Sequence, residues 1–147
     1  ALDLNLCYEE FRELWGDMFS DEPLLDSSFF EGLRKSYRLV LVSNTNEIHF
    51  RFLRSRHALL DLFDDFVLSY EMGVMKPDLR IYSRAIERAR CGAEECFFTD
   101  DTLVNVRAAR RAGIDAVLFQ DRDQLEKSLE TRGIRWARLG VIETGNT

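Results

Sequence analysis

The chain has 147 residues, of which 46% are hydrophobic and 12% aromatic, and a chain of this size and composition can bury one sizeable core. No apolar run approaches the roughly 20 residues of a membrane-spanning helix. The net charge of -6 disfavours a nucleic-acid surface, which draws most of its affinity from basic side chains. The cysteines Cys7, Cys91 and Cys96 are odd in number and lack the pairing of a metal site. Together with the lack of a secretory signal, they predict a cytoplasmic protein.

The first third of the chain predicts two amphipathic helices followed by a buried strand. Apolar side chains recur at helical spacing in residues 1–20 and again in residues 24–37. Residues 39–42 form a continuous apolar run, which is typical of a parallel strand covered on both faces. This run ends in Ser43-Asn44-Thr45-Asn46, and a helix is predicted from residue 47 to about residue 60.

The remaining two thirds repeat the alternation of strand and helix. Three further strands are predicted, over residues 66–69, 96–99 and 116–119. Each is followed by a helical pattern, whereas residues 133–147 predict no element. Strands that alternate with helices predict an α/β fold with a parallel sheet and right-handed crossovers.

Three predicted loops carry residues suited to chemistry. In an open α/β sheet, ligands gather at the carboxyl ends of the strands. After the first strand, Ser43 offers a hydroxyl, and the amides that open the next helix can hold an anionic oxygen. Lys76, held extended by Pro77, can neutralise a phosphate or a carboxylate. Asp100 and Asp101 follow the strand predicted at residues 96–99.

Each of these motifs also has a purely structural interpretation. Ser43-Asn44-Thr45 can cap the helix that follows it, and Asp100 with its neighbour can cap another. Lys76 can be an ordinary surface lysine, with Pro77 at the first position of the next helix. Each motif alone is compatible with either a structural or a functional role. The order of the three motifs along the chain distinguishes the two interpretations.

In that order, the three motifs resemble motifs II, III and IV of the haloacid dehalogenase-like (HAD) hydrolases. They read LVLVSNTN at residues 39–46, GVMKPDLRIY at residues 73–82 and FFTDDTLVNVRAARRAGIDAVLF at residues 97–119. The likeness covers about residues 24–132 and is strongest to bacterial sugar-phosphate phosphatases of the glucose-1-phosphatase type. It implies the Rossmann-like parallel sheet of the HAD core.

The resemblance also implies a role for each site residue. Ser43 and the amide of Asn44 would grip the transferring phosphoryl group, and Lys76 would balance its charge. Asp101 would be a Mg²⁺ ligand, with Asp100 beside it ligating the ion or holding a metal-bound water. Two further positions carry less weight: Asn46 near the mouth of the site, and Asn105, where many relatives have an acidic residue.

The sequence departs from the family at motif I, the apolar strand ending in Asp-x-Asp that supplies the nucleophile. No such segment precedes Ser43, since Asp3-Leu4-Asn5 has the wrong flanks, and Asp121-Arg122-Asp123 comes too late in the chain. Residues 1–20 resemble the end of the family's helical cap, so residues 21–147 are expected to form an incomplete core. We therefore expect the polypeptide alone to be inactive.

Without the motif I strand, the edges of the strands at residues 39–42 and 96–99 are expected to face an empty slot. Open edges of this kind invite self-association or complementation by another strand. A third interpretation, a receiver-like domain, requires its acidic pair early in the chain, whereas this pair comes late.

Two hypotheses follow. In the first, the parent protein is a Mg²⁺-dependent phosphomonoesterase that acts on a small phosphorylated metabolite, such as a sugar phosphate, through an aspartyl-phosphate. In the second, the chain is a non-catalytic remnant that serves as a binding or assembly module. Neither nucleic acid nor membrane is expected as a partner.

Overall fold

The computed structural model describes residues 25–136, in which helices and strands alternate. The helix expected over residues 1–20 and Cys7 lie outside this segment. The bounds of the elements are α1 Ser27–Arg34, β1 Val40–Ser43, α2 Glu47–Arg56, β2 Asp65–Leu68, α3 Ser69–Met72, α4 Leu79–Ala89, β3 Phe97–Asp100, α5 Leu103–Arg111, β4 Asp115–Leu118 and α6 Arg122–Glu130. The predicted α/β class is confirmed, and each strand lies within one residue of its expected place.

The strands pair in parallel, as the alternation predicts, but in two separate pairs. β1 lies beside β2, with Ser43 opposite Leu68, and β3 lies beside β4, with Asp100 opposite Leu118. Within residues 25–136, no ladder joins β1 to β3. The sheet in this segment therefore has two halves, and one edge of β1 and one of β3 carry no neighbouring strand.

Two boundary predictions are wrong. The helix expected to run to about residue 60 ends at Arg56, because His57 is extended, and a 3-10 turn over Ala58–Leu62 follows. Pro77 does not occupy the first helical position. Asp78 is the N-cap of α4, since its side chain accepts the amide hydrogen of Arg80, and the helix begins at Leu79.

Helices α4 and α5 join the two halves through one apolar core. Ile81 and Tyr82 of α4 and Val106 of α5 are completely buried in a cluster that includes Val67 of β2 and Ala116 of β4. Residues from both strand pairs thus contribute to one cluster. We conclude that helix packing, rather than strand pairing, holds the halves together in the described segment.

A second cluster joins the two ends of the segment. Phe29 of α1 packs with Leu125 and Leu129 of α6, and the ring of Trp136 meets Phe29 edge-on at a centroid distance of 5.6 Å. Trp136 is therefore a packing residue. The helices within residues 25–136 are too short or too polar to traverse a lipid bilayer.

Strand β1 is covered on both faces, as its sequence predicts, but it is open along one edge. Val40 and Val42 pack against the core of α4 and α5, and Leu41 packs against a separate cluster that contains Phe50 of α2. All four residues of Val40–Ser43 are nonetheless only half-buried, whereas Val67 and Leu68 of β2 are buried. The difference follows from the pairing, because β2 covers only one edge of β1. Apolar strand surface is consequently left partly exposed beside the carboxyl end where the candidate site lies.

Candidate functional site at the strand ends

An ion pair between Lys76 and Asp100 forms the centre of the site. Lys76 Nζ lies 2.6 Å from Asp100 Oδ2, and the two side chains are only 12% and 5% exposed. The other carboxylate oxygen of Asp100 accepts hydrogen bonds from the backbone N–H of Thr102 and from Asn105 Nδ2. Three donors therefore hold one buried carboxylate, which fits the rule that buried charges are paired and hydrogen-bonded.

Asn105 is held in turn by Tyr82. The Tyr82 hydroxyl donates to the backbone oxygen of Asn105 at 2.9 Å, and its ring packs edge-on against Phe98. Burial, reinforced by the nearby charge of Asp100, raises the pKa of Tyr82 to about 12. Tyr82 thus remains a neutral donor, and it ties α4 to the start of α5 directly behind the ion pair.

The side chain of Asn44 bridges the loop after β1 to the loop that carries Lys76. Its Oδ1 accepts the backbone N–H of Lys76 at 2.7 Å, and its Nδ2 donates to the backbone oxygen of Lys76 at 3.0 Å. The family resemblance implies a role for Asn44 through its backbone amide alone. The structure gives its side chain a separate role, which is to position the lysine.

Ser69, which the sequence analysis did not single out, fixes the loop after β1 from the other side. Its Oγ accepts the backbone N–H of Thr45 and donates to the backbone oxygen of Thr45, both at 2.9 Å. Ser69 is buried and follows β2 directly. The sequence does contain a signal for this role, which is the position of Ser69 directly after an apolar strand. In a parallel sheet, a hydroxyl at that position lies at the same sheet edge as Ser43 and Asp100.

Of the polar residues after β1, Asn46 and not Ser43 caps the helix. Asn46 Oδ1 accepts the amide hydrogen of His49 at 2.9 Å, which makes Asn46 the N-cap of α2. The capping interpretation therefore applies to Asn46, whose side-chain oxygen is already engaged. Ser43 ends β1 half-buried, one residue before the Asn44 bridge.

The second carboxylate of the acidic pair is exposed. Asp101 Oδ1 accepts a hydrogen bond of 3.3 Å from the Thr102 hydroxyl. Within residues 25–136, no three His, Cys, Asp or Glu side chains are grouped so that they could hold a metal ion. Magnesium in phosphoryl-transfer sites is commonly bound by one or two carboxylates with waters and substrate phosphate. Asp101 fits that pattern, whereas both oxygens of Asp100 are already hydrogen-bonded.

The late Asp-x-Asp sequence has a structural role. Asp121 is the N-cap of α6, because its Oδ1 accepts the amide hydrogen of Gln124 at 2.8 Å. Arg122 forms ion pairs with Asp26 and Glu126. The expectation that this segment is not the catalytic pair stays a prediction.

Comparison with known proteins places the chain in a family. The family sequence model of the haloacid dehalogenase-like hydrolases matches residues 9–113 of the chain, which is more than half of its length. The chain belongs to the haloacid dehalogenase-like hydrolases.

Two curated relatives are phosphatases by name. The D-ribitol-5-phosphate phosphatase of Bacteroides thetaiotaomicron is 30% identical over 117 residues, covering 76% of this chain and 57% of that protein. The sesquiterpene phosphatase astK of Aspergillus oryzae is 36% identical over 112 residues, covering 76% of this chain and 56% of that protein. The chain thus spans little more than half the length of either relative.

A solved structure of a HAD family enzyme from Bacteroides thetaiotaomicron, a mutant in complex with magnesium and inorganic phosphate, is also similar. It is 33% identical with a TM-score of 0.56, and the match covers 60% of this chain and 49% of that one. The likeness supports the HAD core fold for the described segment.

Proposed function

We propose that the protein to which this chain belongs is a Mg²⁺-dependent phosphomonoesterase. The observation that carries the proposal is the buried contact of 2.6 Å between Lys76 Nζ and Asp100 Oδ2, beside the Ser43-Asn44 turn. An ammonium group held by a carboxylate at the carboxyl ends of parallel strands is placed where such folds bind their ligands. It provides a fixed positive charge for an anionic group.

The chain's own residues would bind and orient the phosphoryl group. Ser43 and the backbone N–H of Asn44 would donate hydrogen bonds to its oxygens, and Lys76 would offset their negative charge. The Asn44 bridge fixes the backbone from which the lysine extends, while Asp100 fixes its ammonium group. Because the groups are held before substrate arrives, little reorganisation would be needed during transfer.

Asp101, the exposed carboxylate of the pair, would hold the magnesium ion. When bound, the ion would screen the negative charges of nucleophile and phosphate from each other and help to align them. The family resemblance and the relative solved with magnesium and inorganic phosphate support this assignment. The other carboxylate, Asp100, would act through Lys76 and through its hydrogen bonds to Thr102 and Asn105.

The transfer itself would use an aspartate nucleophile that forms an aspartyl-phosphate, which water then hydrolyses. Among residues 25–42, no Asp-x-Asp stands at the end of a strand. The nucleophile would therefore have to come from outside the described segment. We infer that residues 25–136 supply the phosphate-binding part of the site, and that turnover of a phosphate ester requires the segment that carries the nucleophile.

The substrate would be a small phosphorylated metabolite. Similarity to the relative named D-ribitol-5-phosphate phosphatase supports a sugar or polyol phosphate as the substrate. Similarity to the relative named sesquiterpene phosphatase instead supports a phosphate ester with an apolar organic group. The residues at the strand ends specify only the phosphate group. A panel of both ester classes, offered to the whole protein, would separate the two.

Binding of inorganic phosphate tests the proposal on the polypeptide itself. Phosphorus NMR of a phosphate titration with and without Mg²⁺ is expected to report binding that Lys76→Met weakens about tenfold or more, since hydrogen bonds to charged groups contribute about 1.5 to 3 kcal/mol. Lys127→Met, an exposed lysine of α6, is the matched control and should leave binding unchanged. Equal phosphate affinity of the wild type and the folded Lys76→Met variant would overturn the proposal.

A second candidate function is favoured by the open edges of β1 and β3. In the described segment β1 pairs only with β2 and β3 only with β4. A non-catalytic module that takes up a strand from another chain would use these edges. The coding sequence upstream of Ala1 distinguishes the candidates, because the phosphatase requires an apolar strand ending in Asp-x-Asp there.

A further inference from the structure

A pair of cysteines lies at the other end of β3 from the candidate site. Cys91 is exposed, Cys96 is half-buried, and their Sγ atoms are 3.6 Å apart. Four residues of β3 separate Cys96 from the strand end, so the pair lies about 13 Å from the acidic end. The phosphatase proposal gives it no role.

The local backbone fixes this arrangement. Arg90 ends α4 in the left-handed conformation, with φ of 62°, and turns the chain toward Cys91. A 3-10 turn over Ala93–Glu95 then brings the chain back, and the backbone N–H of Cys96 donates to the oxygen of Ala93. The backbone oxygen of Cys96 accepts the N–H of Asp115, which anchors Cys96 to the residue that begins β4. Backbone hydrogen bonds therefore hold the second thiol in place while the first stays accessible.

We propose that Cys91 and Cys96 form a redox-active dithiol that closes reversibly to an intramolecular disulfide in the folded chain. Bond formation needs the sulfur atoms to approach from 3.6 Å to about 2.05 Å, and in this movement the exposed Cys91 side chain would rotate toward the half-buried Cys96. Two thiols already in contact have a higher effective concentration than two thiols on a flexible chain.

The reaction with a small disulfide such as oxidised glutathione balances in two steps. The thiolate of Cys91 attacks one sulfur of glutathione disulfide, which forms a mixed disulfide and releases one glutathione thiolate. Cys96 then loses its proton and attacks the Cys91 sulfur, forming the Cys91–Cys96 bond and releasing the second glutathione. The protein is oxidised by two electrons, and the glutathione disulfide is reduced to two thiols.

The roles of the two thiols follow from their environments. Burial, with the Cys91 hydrogen bond and the charges of Glu95 and Glu94, raises the pKa of Cys96 to about 12. The thiolate is the attacking form, so the exposed Cys91 is the thiol that reacts with the reagent. Cys96 must lose its proton before the second step, so closure of the disulfide should accelerate as the pH rises.

Mass spectrometry under a glutathione redox buffer tests the proposal on the chain of 147 residues with Cys7→Ser, which leaves only this pair. We expect a loss of about 2 Da and a peptide linking Cys91 to Cys96, both reversed by excess thiol. In the additional variant Cys96→Ser, Cys91 should instead retain one glutathione.

Comparison of folded and denatured chains isolates the contribution of the fold. The ratio of disulfide to dithiol at a fixed glutathione ratio should be at least about tenfold higher for the folded chain than in denaturant, because the fold holds the sulfurs in contact. An equal ratio in the two states, a persistent mixed disulfide on Cys91, or disulfide-linked dimers as the main product would each overturn the proposal.

Discussion

The side chain of Asn44 makes two hydrogen bonds to the backbone of Lys76, one to its N–H at 2.7 Å and one to its oxygen at 3.0 Å. Thirty-two residues separate the two positions, so the contact joins the loop after β1 to the loop after α3. The loop of Lys76 is thereby fixed in relation to the Ser43 turn. This fixes part of the candidate site's geometry before any ligand binds.

Replacement of Asn44 by alanine removes both bonds and leaves two backbone groups of Lys76 without protein partners. We expect the free energy of unfolding to fall by about 1 to 3 kcal/mol, measured by urea denaturation. Phosphate affinity should fall as well, because the lysine backbone is released. Asp121→Ala is the matched control, because it removes the N-cap of α6, at a cost of about 1 kcal/mol, and should leave phosphate affinity unchanged.

The Lys76–Asp100 pair predicts a marked non-additivity. Lys76→Met leaves a buried carboxylate without its cation and should lower the free energy of unfolding by about 3 kcal/mol. The double variant Lys76→Met with Asp100→Asn removes the charge while keeping an oxygen that can accept from Thr102. It should recover about half of the loss or more. Urea denaturation of the wild type, Lys76→Met, Asp100→Asn and the double variant gives the coupling free energy between the two side chains. Losses of unfolding free energy that simply add would contradict a direct buried interaction.

The strands and the family could be predicted from the sequence because their signals are local. Apolar runs placed β1 to β4 within one residue, and three short motifs in order identified the haloacid dehalogenase-like hydrolases, which the family comparison confirms. The HAD assignments of Ser43, Lys76 and Asp101 to phosphate and metal stay predictions.

What the sequence did not predict depends on contacts distant along the chain. The Asn44 bridge to Lys76, the Ser69 bonds to Thr45 and the Tyr82 bond to Asn105 each join residues more than 20 positions apart. A polar residue in a loop does not reveal which backbone group it will meet. The predicted start of α4 at Pro77 is wrong for a related reason. Pro77 and Asp78 are both residues that commonly begin a helix, and in the structure Asp78 is the N-cap.

Tyr82 predicts a loss of stability in alkali. Its pKa is raised to about 12 in the folded chain, against an ordinary value near 10, so the folded state keeps a proton that the unfolded state releases. The stabilisation is complete below pH 10 and is lost as the pH rises from about 10 to about 12. Over that window the free energy of unfolding should decrease by about 2 to 3 kcal/mol through this group.

Urea denaturation at several alkaline pH values, on the wild type and on Tyr82→Phe, isolates the effect of this one group. The variant loses the hydroxyl bond to Asn105 and starts less stable, but its stability should fall less steeply above pH 10. Tyr37→Phe, at a tyrosine that is 38% exposed, is the matched control and should retain most of the wild-type slope. Identical slopes for the wild type and Tyr82→Phe would contradict the inferred titration.

The open edge of β1 predicts self-association of the polypeptide. Val40–Ser43 is half-buried and pairs on one side only within residues 25–136, and an unprotected apolar edge is a template for pairing with a second chain. Sedimentation velocity should therefore report oligomers whose fraction rises with concentration.

Val42→Lys places a charge on this strand and should shift the equilibrium toward monomer by about tenfold or more, since burial of a charge in a strand interface is costly. Ile48→Lys is the matched control, because Ile48 is 84% exposed and lies on α2 instead of β1. If both lysine variants dissociate the oligomer equally, general surface hydrophobicity rather than the β1 edge drives association.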